Sequence, residues 1–133
     1  MCILKFLIAG TTIADLEYVT KSVQSSNTQG CCTDGTHVFS IHAESIEKFL
    51  CSDMSLVDDF SVFNGSDSFT TVIGITTDGT YFYVTDGSGS NGRVVIFNNS
   101  DMSYVGEFPT DMVPQGIDHD GSKLYVSEMM LLG

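Results

Sequence analysis

The chain has 133 residues, 42% of them apolar, which suits one folded domain and excludes a disordered chain. Five Lys and Arg stand against 17 Asp and Glu, a net charge of −12, so no nucleic acid is expected as a partner and an anionic membrane surface is disfavoured. No apolar run approaches the ~20 residues of a membrane span, and 13 Gly among many β-branched and aromatic residues point to strands joined by tight turns.

The first ten residues, Met1-Cys-Ile-Leu-Lys-Phe-Leu-Ile-Ala-Gly10, are apolar like a short signal peptide, but Lys5 interrupts the run and no cleaved signal is expected. Residues 3–20 are read instead as a hairpin. They weakly match two later segments, Ile46-Glu-Lys-Phe-Leu-Cys-Ser-Asp53-Met-Ser-Leu-Val-Asp-Asp-Phe60 and Val94-Val-Ile-Phe-Asn-Asn-Ser-Asp101-Met-Ser-Tyr-Val-Gly-Glu-Phe108. Each of these is a pair of amphipathic runs about a polar turn. A second block occurs three times: Gln29-Gly-Cys-Cys-Thr-Asp34-Gly-Thr-His-Val-Phe-Ser-Ile41, Ile73-Gly-Ile-Thr-Thr-Asp78-Gly-Thr-Tyr-Phe-Tyr-Val-Thr85 and Gln115-Gly-Ile-Asp-His-Asp120-Gly-Ser-Lys-Leu-Tyr-Val-Ser127. Its Asp-Gly pairs lie 44 and then 42 residues apart, and Asp-Gly between β-forming runs predicts a hairpin with a type I′ turn.

The repeating unit is thus two consecutive hairpins, four antiparallel strands in about 43 residues, the period of a propeller blade. No segment keeps the apolar spacing of a helix through its glycines. The expected fold is all-β, about twelve strands in one domain over residues 1–133. It divides into an outer hairpin at 3–20, blades at 29–62 and 72–109, and an inner hairpin at 114–128.

Val113-Pro-Gln-Gly-Ile-Asp-His-Asp-Gly-Ser-Lys-Leu-Tyr-Val126 resembles the core of the YVTN-type β-propeller repeat, as does Asp78-Gly-Thr-Tyr-Phe-Tyr-Val-Thr-Asp86 with Gly92-Arg-Val-Val-Ile-Phe97 and Met102-Ser-Tyr-Val-Gly106. The chain is also similar to NHL-type repeats. The resemblance is strongest from Ile73 to Ser127 and departs at Cys31-Cys32 and in the N-terminal copy. It implies a radial propeller serving recognition, often at an extracellular surface.

Half, two and half make about three blades, whereas closed propellers have 4–8. The first and last blades are split, and their halves complement each other between copies. The expectation is a half-propeller completed by head-to-tail homo-oligomerisation, a six-bladed dimer favoured and a filament the open alternative. Phe6, Ile8, Tyr125 and Val126 are the candidate interface residues, each worth on the order of 1.5–3 kcal/mol when buried.

Candidate chemistry is sparse. Asp86-Gly-Ser-Gly-Ser-Asn91 has the alternating oxygens of a calcium loop, but Phe97 stands where the bidentate Glu would be. Its glycines also match G-x-G-x-x-G, but a strand follows, not the helix that motif needs. No resident cofactor is expected; for a bound Ca²⁺, Asp86 and Asp118 are the candidate ligands. Gln29, Gln115, Asp118 and His119 are candidate ligand-binding residues, since the strands that carry them would line the channel mouth. His37 and His42 complete the three histidines, and none has metal-ligand spacing. Cys2, Cys31, Cys32 and Cys51 form no C-x-x-C pair and read as buried small hydrophobes, leaving their disulfide state and the redox compartment open. Asn64-Gly-Ser66 and Asn98-Asn-Ser100 are glycosylation sequons in predicted turns.

No catalytic residues are expected. The reading is a non-enzymatic, self-assembling β-propeller module with a structural or recognition role, in a surface layer, filament or virion. The alternative is a six-bladed hydrolase of the lactonase type, with a divalent metal at the channel mouth held by Glu, Asn and Asp. Gln and Ile at the positions before the repeat glycines weigh against it.

Overall fold

A computed structural model describes residues 4–8, 16–21, 29–42, 45–61, 72–87 and 92–130, with the backbone alone for the first two stretches and for His42. Among these residues the fold is all-β and antiparallel throughout. Twelve strands form two four-stranded sheets and two two-stranded ones. β1 (Leu4–Ile8) pairs with β2 (Leu16–Lys21), and neither pairs with a third strand. The first four-stranded sheet runs in chain order through β3 (Gly30–Thr33), β4 (His37–His42), β5 (Ser45–Leu50) and β6 (Leu56–Ser61). The second runs through β7 (Val72–Thr77), β8 (Tyr81–Asp86), β9 (Arg93–Asn98) and β10 (Tyr104–Pro109). A last hairpin joins β11 (Val113–His119) to β12 (Leu124–Met129).

Burial explains the composition of each strand. β9 lies inside its sheet and carries the continuous apolar run Val94-Val-Ile-Phe97, with Val94, Val95 and Phe97 all buried. β6 and β10 are the outermost strands and mix Asp58, Asp59 and Glu107 with exposed Leu56, Val57 and Val105. The core fills the space between the two large sheets. Phe39, Ile41 and Ile46 of the first meet Val72, Ile75, Phe82, Val84, Val95 and Phe97 of the second. The rings of Phe39 and Phe82 lie 4.6 Å apart, tilted by 60°.

The Asp-Gly turns differ from expectation. A type I′ turn puts both central residues at positive φ, but here only the glycines are there: Gly35 at 91°, Gly79 at 89° and Gly121 at 93°. The aspartates do another job. Asp34 Oδ1 accepts the N–H groups of Thr36 and His37, Asp78 Oδ1 those of Thr80 and Tyr81, and Asp120 Oδ1 those of Ser122 and Lys123. A side chain that satisfies two backbone donors makes the wider four-residue loop competitive with the two-residue turn.

The second block makes its own turn twice. Met54 and Met102 sit at φ of 59° and 60°, unusual for a residue with a long side chain. Each donates its N–H back four residues, to Leu50 and Asn98, and the preceding aspartate, Asp53 or Asp101, accepts the N–H and hydroxyl of the following serine. Met54 is fully buried and Met102 packs against the core, which offsets the backbone strain.

Candidate functional site

β3, β7 and β11 are the first strands of their units and lie side by side. β7 packs on β3 and β4, and β11 packs on β7 and β8. Glycine makes the close approach possible. A Cβ on Gly30 would lie 2.7 Å from the Ile73 carbonyl oxygen, and one on Gly74 would lie 2.6 Å from that of Gln115. The rule is general across the described chain: the glycine of each unit faces the carbonyl of the residue before the glycine in the next.

A hydroxyl reinforces the second of these approaches. The ladder between β7 and β8 slips between Val72 and Ile75, so the Gly74 N–H bonds Thr85 Oγ1 at 2.8 Å. That hydroxyl in turn donates to the Gln115 carbonyl at 2.9 Å, tying the second unit to the third. β11 slips likewise between Pro114 and Ile117, and the Gly116 N–H bonds Ser127 Oγ at 2.9 Å. In the first unit Ile41 replaces the hydroxyl, and Gly30 pairs with it in regular register. The residues at 41, 85 and 127 were not singled out from the sequence; their alignment within the repeat carried the signal.

The predicted ligand residues divide between two grooves. Gln29 and Gln115 line one of about 270 Å³ with Gly30, Ile73, Gly74 and Gly116. Asp118 and His119 line another of about 360 Å³, further along the same strands, with Cys31, Cys32 and Thr76. Asp118 Oδ1 accepts the His119 N–H at 2.8 Å and lies 3.4 Å from the Thr76 hydroxyl. His119 serves its own turn: its Nδ1 accepts the Gly121 N–H at 3.1 Å, as Thr33 and Thr77 hydroxyls do for Gly35 and Gly79. His37 lies 3.6 Å from Asp34 across its turn.

Asp86 is fully buried, and Arg93 Nε bonds its Oδ2 at 2.8 Å while Arg93 Nη1 reaches Glu107 at 3.0 Å. An Asp held by a guanidinium is a poor cation ligand. Residues 88–91 of the proposed calcium loop lie outside the described residues, as do Cys2, the 64–66 sequon and the side chains of Phe6 and Ile8. Asn98 of the other sequon donates to Ser103 Oγ at 2.8 Å. No group of three His, Cys, Asp or Glu side chains placed to hold a metal occurs among the described residues.

Cys31, Cys32 and Cys51 carry free thiols, but Cys31 is exposed, contrary to the buried role expected of it. The equivalent Ile75 of β7 is buried. Burial, then the charges of Cys31, Asp34 and Asp118, push the Cys32 thiol up to about 12, so it stays neutral. Tyr125 and Val126 fall on opposite faces of β12, as strand alternation requires: Tyr125 is 56% exposed and Val126 half-buried.

No protein-family model and no curated protein matches the chain. Among solved structures it is similar to Kuenenia stuttgartiensis hydrazine synthase, with a TM-score of 0.64 and 14% sequence identity over 88% of this chain. The chain spans 34% of the length of that one. At this identity the likeness concerns the fold alone, and the arrangement the two share is an all-β, β-propeller-like one of antiparallel four-stranded sheets.

Proposed function

We propose that this chain is a non-enzymatic β-propeller module that assembles with itself and serves structure or recognition, in a setting such as a surface layer, filament or virion. The observation that carries the reading is the third unit. It consists of β11 and β12 alone among the described residues, its outer edge has no strand partner, and Gly116, Tyr125 and Ser127 on its outward face are exposed. An unpaired edge with an exposed aromatic beside it is a surface that seeks a partner. Along the inner strands, Thr33, Thr77 and His119 hold their turns and Asp118 lies beside Thr76 of the second unit. Sedimentation velocity at micromolar concentration, combined with ester and lactone assays, tests the reading. An oligomer without turnover is expected. A monodisperse monomer, or metal-dependent turnover lost in Asp118→Ala, would overturn it.

A further inference from the structure

We infer that a second copy of this chain seats its β3 strand on the exposed face of the β11–β12 hairpin, in a register set by Gly116 and anchored by a hydrogen bond from Ser127 to the Gln29 carbonyl of that copy. The inference rests on the self-assembly proposed above and assigns it a contact surface.

The two junctions inside the chain supply the template. In both, the face of one unit bearing positions 30, 32, 39 and 41, or 74, 76, 83 and 85, meets the first strand of the next unit. Across the first junction the Phe39 ring also meets that of Phe82 on the second strand, and across the second Tyr83 lines a groove with Leu124. In the third unit the same face bears Gly116, Asp118, Tyr125 and Ser127. All four are exposed, whereas Gly74, Thr76 and Thr85 are buried.

The opposite end of the stack has the matching gap. Cys31 and Thr33 of β3 are exposed and Val38 is half-buried, where their equivalents Ile75, Thr77 and Phe82 are buried. The exposed residues of the two ends are therefore the repeat counterparts of residues that meet inside the chain. Gln29-Gly30 also repeats the Gln115-Gly116 pair that already faces Gly74.

Local chemistry agrees with this register. Thr85 Oγ1 accepts from Gly74 and donates to Gln115, whereas Ser127 Oγ accepts from Gly116 and donates to no acceptor among the described residues. The template supplies one, the Gln29 carbonyl of the second copy. It also places Cys32 of the second copy beside Asp118, as Asp118 itself lies beside Thr76. Cys32 is neutral, so no like charge meets the carboxylate at a contact between two chains that each carry −12.

Gly116 gives a clean test. A Cβ there would meet only Ser127 Oγ, at 3.2 Å, and that side chain lies on an exposed strand and can turn aside. At the junction the same Cβ would strike the incoming carbonyl. Sedimentation equilibrium of the full chain should show Gly116→Ala associating at least tenfold more weakly than wild type, with unchanged circular dichroism. Ser127→Ala should weaken association several-fold, and Ser127→Thr, which restores the hydroxyl found at position 85, should associate like wild type. Ser127→Ala carries the test if Gly116→Ala folds poorly. Wild type that assembles while Gly116→Ala and Ser127→Ala assemble equally well would overturn this inference and leave self-assembly standing. A monomeric wild type would overturn both.

Discussion

The aspartates of the Asp-Gly turns contribute to stability through their charge. Partial burial alone would raise the Asp78 carboxyl, but the N–H groups of Tyr81 and Thr80 and the Tyr83 hydroxyl outweigh it and hold it below the usual carboxylate range. The N–H groups of Ser122 and Lys123 and the hydroxyls of Tyr125 and Ser122 hold Asp120 well below that range. A carboxyl whose folded pKa lies below its unfolded value of about 3.9 contributes stability that is present above about pH 4 and lost as pH falls through the folded value. Denaturant midpoints measured from pH 7 to pH 2 should therefore fall more steeply below pH 4 in wild type than in Asp78→Asn with Asp120→Asn. Comparing the two chains cancels most of the general relief of charge repulsion on acidification. At pH 7, Asp78→Ala should cost about 1 kcal/mol, below the range of about 1.5–3 kcal/mol for hydrogen bonds to a charged group, because the turn faces solvent. Arg93 is a more severe case. Its removal leaves the fully buried Asp86 without its guanidinium, so Arg93→Ala should cost about 3–5 kcal/mol by chemical denaturation.

Among the strands, stability concentrates where the two large sheets meet. Phe82 is fully buried against Phe39, and Phe82→Ala should cost about 3–5 kcal/mol in the same measurement. The glycines between units act by a different route. Gly74 lies under the Gln115 backbone, and Gly92 lies against the Pro114 ring, so a methyl group at either displaces the β11–β12 hairpin. Gly92→Ala and Gly74→Ala should therefore lower the melting temperature and raise amide exchange along β11, while exchange in β4 and β5 stays near wild type. Equal loss of protection in β4, β5 and β11 would mean that the units do not respond separately.

Across the whole molecule the dominant electrostatic quantity is the charge of −12 on each chain. It opposes association between copies over distances that salt screens to ~8 Å near physiological ionic strength. The proposed self-association through the apolar and backbone contacts of the third unit should thus tighten as salt rises from about 10 to 150 mM, the reverse of a contact built on ion pairs. Sedimentation across that range measures it. Association that weakens with salt would point to a partner surface of opposite charge.

The sequence by itself determined the all-β class and the order of the hairpins, because both follow from residue periodicity and from repeated Asp-Gly and Asp-Met-Ser turns, which are local. It also marked Gly30, Gly74 and Gly116 as equivalent. It did not show that Gly92 and Arg93 lock the second unit, or that Gln29 and Gln115 line a different groove from Asp118 and His119. Nor did it show that the Asp-Gly aspartates keep negative φ and act instead as acceptors for two N–H groups. The role of Thr85 and Ser127 was equally hidden. One hydroxyl becomes a bridge because the ladder slips at the glycine and a neighbouring strand brings a carbonyl to it, and that carbonyl comes from a residue about thirty positions away. Spacing along the chain sets which atoms repeat. Which of them meet depends on how one sheet packs on the next, and only the tertiary structure decided that.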